Sequence, residues 1–163
     1  MSKVGVIMGS ISDLDVVKPA IDIVKEFGVE VDARVISAHR TPELAHEYAS
    51  KAVDNGIDVI ICAAGKAAHL GGVIAAFTPI PVIGLPVKSS TMDGMDSLLS
   101  MVQMPSGIPV ACVAINGGLN AGLLAIQILS IKDRVLMQKM IEYKSNLASK
   151  INKDDQKLQE LLK

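Results

Sequence analysis

Aromatic side chains are nearly missing: there is no tryptophan, and two tyrosines with two phenylalanines bring aromatics to 2% of 163 residues. With 50% of the residues apolar, the core has to be assembled from Val, Ile, Leu, Ala and Met, and eight methionines supply gap-filling volume. A chain of this length suffices for one α/β domain with a sizeable core. Excess charge of either sign is missing too. A formal net charge of -1 gives no global attraction to nucleic acid or anionic lipid, so neither is expected as a partner. An anionic ligand then has to be held by local groups. Cysteine is sparse. Cys62 and Cys112 each lie inside an apolar run, which fits buried reduced thiols, and no Cys-x-x-Cys or His/Cys cluster marks a metal site. No apolar run is long enough to span a membrane, and the opening MSKVGVIMGS lacks the features of a signal peptide. A cytoplasmic location is the expectation.

What is present is an alternation of β-branched runs with helical patterns. Strands are expected over 4–8, 29–36, 59–63, 82–85 and 110–115. The first helix is expected over 14–27, with Val17, Ala20, Ile21, Val24 and Phe27 on one face and Gly28 as its stop. A second follows Thr41, which can cap it, with Pro42 at its first position and Leu44 opening its apolar stripe. Further helices are expected over 73–77, 95–103 and from about Asn120, with a polar, Lys-rich helix at the C-terminal end. This pattern predicts a three-layer α/β fold: a doubly wound, five-stranded parallel sheet, flavodoxin-like, in the order 2-1-3-4-5. The whole of 1–163 reads as one domain, with no linker or low-complexity tract.

Doubly wound sheets bind ligands beyond the carboxyl ends of their strands, and four loops fall there. Gly9-Ser10-Ile11-Ser12-Asp13 offers a tight turn, hydroxyls and the free amides of a helix start, all suited to a phosphate or ribose; capping by Ser12 or Asp13 is the bland alternative. The segment is neither a G-x-G-x-x-G fingerprint nor a P-loop, which argues against a dinucleotide or a nucleoside triphosphate. Ser37-Ala38-His39-Arg40-Thr41-Pro42 sets a guanidinium that can grip phosphate beside an imidazole that can both donate and accept a proton. The 63–72 stretch has small residues that let backbone approach a ligand, and His69 either faces that ligand or packs within the fold. The stretch from Asn116 to Gly122 reads either as a backbone cradle or as a plain turn capped by Asn120. His46 belongs to a solvated helix face. The 88–94 segment has the composition of a mobile cover, with Lys88 either a solvent charge, the favoured reading, or a second anion contact. A serine hydrolase is poorly supported, because no Gly-x-Ser-x-Gly elbow is present.

Taken together, GSISD at 9–13, SAHRTP at 37–42, AGKAAHL at 64–70, PVIGLPV at 81–87, DSLLSMVQMPSGIPV at 96–110 and NAGLLAIQIL at 120–129 resemble the class I N5-carboxyaminoimidazole ribonucleotide mutases. These are the catalytic-subunit type of phosphoribosylaminoimidazole carboxylase. The resemblance implies an isomerase of de novo purine biosynthesis that needs no cofactor or metal. It moves a carboxyl group from the exocyclic nitrogen of an aminoimidazole ribonucleotide to ring carbon 4. It implies His39 as general acid and base, Ser10, Ser12 and Asp13 at the ribose phosphate, Arg40 as phosphate clamp and Ser37 in support. Ala64, Gly65, Lys66, His69 and Leu70 would form the wall beside the base and carboxylate. It also implies an octamer in which the C-terminal helix, 131–163, reaches a neighbouring subunit. Leu136, Met140, Tyr143, Leu147 and Ile151 offer a stripe for that contact, or equally for packing on the chain's own domain.

Three features depart from the family pattern. Lys66 stands where a small residue is common, Gly71 where Pro is usual, and the turn 116–119 is about two residues shorter. Two alternatives stay open from the sequence: a class II carboxylase that uses free CO₂, which tends to carry Lys where Arg40 stands here, and a non-catalytic flavodoxin-like nucleotide-binding module.

Overall fold

The computed structural model describes residues 2–163; the domain expected over 1–163 begins with Met1, which lies outside the described residues. Its centre is a parallel sheet of β1 (Lys3–Met8), β2 (Glu30–Val35), β3 (Val59–Gly65), β4 (Val82–Val87) and β5 (Ala111–Cys112), in the order β2-β1-β3-β4-β5. This is the order the alternating pattern predicts.

β1, β3 and β4 are buried almost throughout because both faces of the sheet are covered. Alternate side chains divide between two cores. Val4, Val6, Ile61, Ile83 and Leu85 pack with α1 (Leu14–Glu26), α5 (Gly118–Ser130) and the start of α6 (Arg134–Leu161). Ile7, Ile60, Cys62 and Val82 pack on the other side with α2 (Pro42–Ser50), α3 (Leu70–Phe77) and α4 (Met95–Val102). Buried among aliphatic groups, the Cys62 thiol is pushed well above its ordinary pKa, and neither cysteine is in a disulfide.

Several elements differ from the sequence expectation for identifiable reasons. β2, expected over 29–36 as a half-buried strand from its alternating apolar pattern, does not alternate in burial: it is a sheet edge, and Ala33, Arg34 and Val35 are exposed. β5 keeps only two ladder residues of the six expected; beyond them the chain holds to β4 through Val113 N–H to Gly84 O at 3.1 Å and Asn116 N–H to Pro86 O at 2.8 Å. α3 begins at Leu70 rather than near residue 73, because Leu70, Gly71 and Ile74 together form its buried face. α2 turns Ala45 and Ala49 inward and leaves Leu44 exposed, so Leu44 does not open a core stripe. Gly28 ends α1 as expected, with φ +83.

The C-terminal helix divides its stripe. Leu136 and Met140 are buried against the chain's own core, and Tyr143 sits with its ring 6.0 Å from that of Phe27. Leu147 and Ile151, one and two turns further on, are exposed.

Candidate active site

Four strands end at one cavity of about 710 Å³, formed by the loops after β1, β2, β3 and β4. β1 and β3 flank the point where the strand order reverses, the position at which doubly wound sheets leave a crevice.

After β1, the chain makes a single 3-10 turn over Ile11–Asp13. Ser10 caps it: its Oγ accepts from Ser12 N–H at 3.3 Å and from Ser12 Oγ–H at 2.9 Å. Capping by Ser12 or Asp13, the alternative weighed from sequence, is therefore not what occurs. Asp13 stands at the start of α1 without a side-chain capping bond, so its carboxylate is not used up by the helix. It lines the cavity instead. Partial burial raises its pKa above the ordinary aspartate value, opposed by hydrogen bonding at Ser10 and Ser12 and by the charge of Arg40.

After β2, the turn over 37–41 braces itself. Thr41 Oγ1 accepts from Ser37 N–H and donates to Ser37 O, both at 3.0 Å, rather than capping α2. Ser37 Oγ accepts from Arg40 N–H at 3.2 Å and from Arg40 Nε at 3.3 Å. Arg40 Nη2 then reaches Gly9 O at 2.8 Å and ties this loop to the one after β1. The guanidinium is thus fixed at the mouth of the Ser10–Ser12 turn, which suits it to hold an anion there.

After β3, Ala64, Gly65 and Lys66 lead to His69, which stands at the start of α3 and makes no side-chain capping bond. His39 Nε2 and His69 Nδ1 lie 3.1 Å apart, with the rings edge to face at 87°. A contact of this kind needs one proton between the two nitrogens, so one imidazole donates and the other accepts. His69 therefore faces the cavity rather than packing within the fold. All eleven residues singled out from sequence line this one cavity: Ser10, Ser12, Asp13, Ser37, His39, Arg40, Ala64, Gly65, Lys66, His69 and Leu70.

Lys88 is exposed, as a solvent charge is, and also lines the cavity, its Nζ pairing with Asp93 Oδ1 at 2.6 Å. Of the two readings of Asn116 to Gly122 the plain turn holds, because the stretch contributes nothing to the cavity wall. Asn116 Oδ1 instead accepts from Lys88 N–H at 2.8 Å and props the loop after β4. The helix there starts at Gly118, two residues before the expected cap Asn120. Ser89 and Ser90 of the expected cover segment line the cavity too, together with Val87, which sequence reasoning passed over. The signal was available, because Val87 stands at the carboxyl end of a central strand. His46 is exposed as expected, its ring 4.6 Å from that of Phe77.

A family model described as AIR carboxylase matches residues 3–150. The chain belongs to the AIR carboxylase family. An N5-carboxyaminoimidazole ribonucleotide mutase from Pyrococcus horikoshii is 54% identical over 158 residues, covering 97% of this chain and 89% of the relative. One of the same name from Thermotoga maritima is 51% identical over 161 residues, covering 99% and 94%. The crystal structure of Treponema denticola PurE is 32% identical, with a TM-score of 0.87 over 97% of this chain and 99% of that one. In the AIR carboxylase family, then, this chain keeps the five-stranded sheet and gathers His39, Arg40 and the Ser10–Asp13 turn at its carboxyl edge. Among the described residues, no group of three or more His, Cys, Asp or Glu could hold a metal ion, and no helix is long and apolar enough to cross a membrane.

Proposed function

We propose that this chain is an N5-carboxyaminoimidazole ribonucleotide mutase, converting the N5-carboxylated nucleotide to 4-carboxy-5-aminoimidazole ribonucleotide in purine biosynthesis. The observation that carries the reading is the convergence of His39 and Arg40 with the Ser10–Ser12 turn in one cavity, in a chain whose relatives of that name match over most of their length. The enzyme is an isomerase, and its substrate and product are small-molecule nucleotides.

The 5′-phosphate binds at Ser10 and Ser12, with Arg40 supplying a charged fork and Asp13 accepting from the ribose hydroxyls. Ser37 holds Arg40 in place. The imidazole base lies toward His39 and His69, with the backbone of 64–70 and Leu70 as its wall. The C–N bond of the carbamate breaks; its electron pair stays on nitrogen and CO₂ leaves. His39, protonated, gives its proton to that nitrogen. Ring carbon 4 then attacks CO₂ and forms the new C–C bond. The proton on that carbon must depart to restore aromaticity, and the now neutral His39 takes it. Donor and acceptor roles cancel over the cycle, so one imidazole serves both steps. Between them CO₂ has to be kept from escaping, which calls for a closed cavity. The loop over 88–94 is placed to serve as its cover.

The remaining expectations belong to the same reading: a cytoplasmic enzyme that binds neither nucleic acid nor membrane, works without a cofactor and assembles as an octamer. The exposed apolar half of α6 supports an assembly contact with a neighbouring subunit.

Supplying each candidate substrate separately to the purified protein tests the function. Conversion of the N5-carboxylated nucleotide without added bicarbonate, followed by product absorbance, is the expected outcome. Turnover only from aminoimidazole ribonucleotide with CO₂ would replace the mutase by the class II carboxylase. Tight nucleotide binding without turnover of either would leave a binding module.

A further inference from the structure

Three cations line the cavity, and they are not equally occupied. Arg40 donates to Gly9 O and Ser37 Oγ, and Lys88 pairs with Asp93. The Lys66 side chain has no hydrogen bond or ion pair with any described residue. It stands immediately after β3 and three residues before His69, on the stretch of chain that forms the same wall of the cavity. Its backbone is unusual as well. Lys66 adopts φ +56, a left-handed conformation that glycine takes freely and a lysine takes only at a cost. A long, charged and solvent-exposed side chain thus occupies a position whose backbone favours glycine, on the cavity wall, with no partner for its charge among the described residues. Such a conformational outlier at a site is grounds for assigning it work.

The substrate of the proposed reaction carries two separate anionic groups: the 5′-phosphate and the carboxylate that migrates. Arg40 and the Ser10–Ser12 turn account for the first. We propose that Lys66 is the counter-charge for the second, and that it sets a preference for carboxylated over decarboxylated nucleotides. This deepens the mutase reading and rests on it.

The physics gives the role a definite signature. Substrate and product both carry the carboxylate, whereas the intermediate pair, aminoimidazole ribonucleotide with neutral CO₂, does not. Attraction to Lys66 therefore stabilises both end states and leaves the intermediate pair untouched. It improves binding of substrate and product without lowering the barrier between them. Lys66 also disfavours abortive release, because a decarboxylated complex can regain the attraction only by recapturing CO₂.

The test compares wild type, Lys66→Gly and Lys66→Arg. Glycine suits the backbone at φ +56, so the first variant removes the charge without threatening the fold. Calorimetry with 4-carboxy-5-aminoimidazole ribonucleotide and with aminoimidazole ribonucleotide gives the two affinities for each protein. In Lys66→Gly the carboxylated nucleotide is expected to bind about tenfold more weakly, the size of one partly screened charge contact, while the decarboxylated one is held as before. In steady-state kinetics KM rises while kcat does not fall, as for an attraction made in the bound ground state and lost on the way to the decarboxylated intermediate. Lys66→Arg restores most of the preference, and in wild type added salt narrows the gap between the two ligands. Equal weakening of both nucleotides would make Lys66 a phosphate contact and overturn the proposal; no change for either would make it a solvent charge, with the same consequence. Because the binding comparison does not require turnover, a wild type that prefers the carboxylated nucleotide but fails to isomerise its substrate would sink the mutase reading and leave the charge assignment standing.

Discussion

His39 Nε2 and His69 Nδ1 share a hydrogen bond in which one ring nitrogen donates and the other accepts. For His39 to pass a proton to substrate, the contact at 3.1 Å has to yield, or the opposite ring nitrogen has to act. Either way the proposed mechanism asks His39 to exchange a proton twice per cycle. His39→Asn keeps a hydrogen-bonding side chain of similar reach and loses the exchange. Turnover is expected to fall by a factor on the order of 10² or more, while nucleotide affinity, set by the Ser10, Ser12 and Arg40 side, is retained. Single-turnover kinetics alongside equilibrium binding separates the two, and an unchanged rate would remove His39 from the mechanism. Arg40→Ala is expected to do the reverse, weakening the nucleotide by a few kcal/mol while the dephosphorylated nucleoside, measured by the same titration, loses little.

Asp13 carries a different signature. Burial raises its folded-state pKa above the unfolded value, so the folded protein disfavours the carboxylate. The sign follows: the group adds relative stability at low pH and loses it as pH rises through the folded pKa, so at neutral pH the charge subtracts from stability. Asp13→Asn is expected to melt above wild type at pH 7, with the advantage gone by about pH 3. Thermal unfolding at both pH values checks it, and an advantage that persists in acid would refute the burial argument. A residue that lowers stability and yet faces the cavity fits a ligand contact.

At the scale of elements, the glycines of 116–122 show why the sequence left that stretch open between a cradle and a plain turn. Gly-rich sequence after a strand is the common sign of a backbone cradle, yet these glycines serve helix packing. A Cβ at Gly118 would run into Val16 O on α1, and one at Gly122 would run into Ile23 Cγ2 and come within 2.8 Å of Ala20 O. α1 and α5 lie close enough together that only hydrogen fits between them. Gly122→Ala is expected to destabilise by about 1–3 kcal/mol, the range for overpacking a tight contact; denaturant unfolding measures it, and nucleotide affinity should hold in the fraction that stays folded. Spacing alone cannot tell a glycine needed by a ligand from one needed by a neighbouring helix. By contrast, the loops after β1, β2 and β3 were legible because a phosphate-suited turn, a His-Arg pair and a run of small residues each follow a recognisable strand. The loop after β4 was legible as a cover from its composition, but not its support by Asn116, which comes from 28 residues away and leaves no local signal. The same holds for Leu44: the period of α2 was readable, but which of its faces meets the sheet was decided by Ala45 and Ala49, small enough to let the helix approach.

Across the whole molecule, the sheet order could be read from the alternation of strands and helices, whereas the destination of the C-terminal helix could not. α6 extends over 28 residues, and only its beginning has a partner: Leu136 and Met140 are buried, while Leu147 is 51% and Ile151 66% exposed. A helix that continues for several turns beyond its own core with an apolar side showing supports the proposal that it is an arm for another subunit. Since Leu147 and Ile151 contribute little to the fold of one protomer, replacing both by Asp tests the arm without attacking the core. Light scattering after size exclusion is expected to report a smaller particle than wild type, with circular dichroism retaining its helical and sheet signal. Melting also becomes more sensitive to protein concentration or shifts downward, because subunit association stabilises the folded state by mass action. A doubly substituted protein with wild-type mass would mean that the second half of α6 does not hold the assembly together, and that any oligomer must form through the other exposed apolar positions, such as Leu44 on α2 or Leu99 and Val102 on α4.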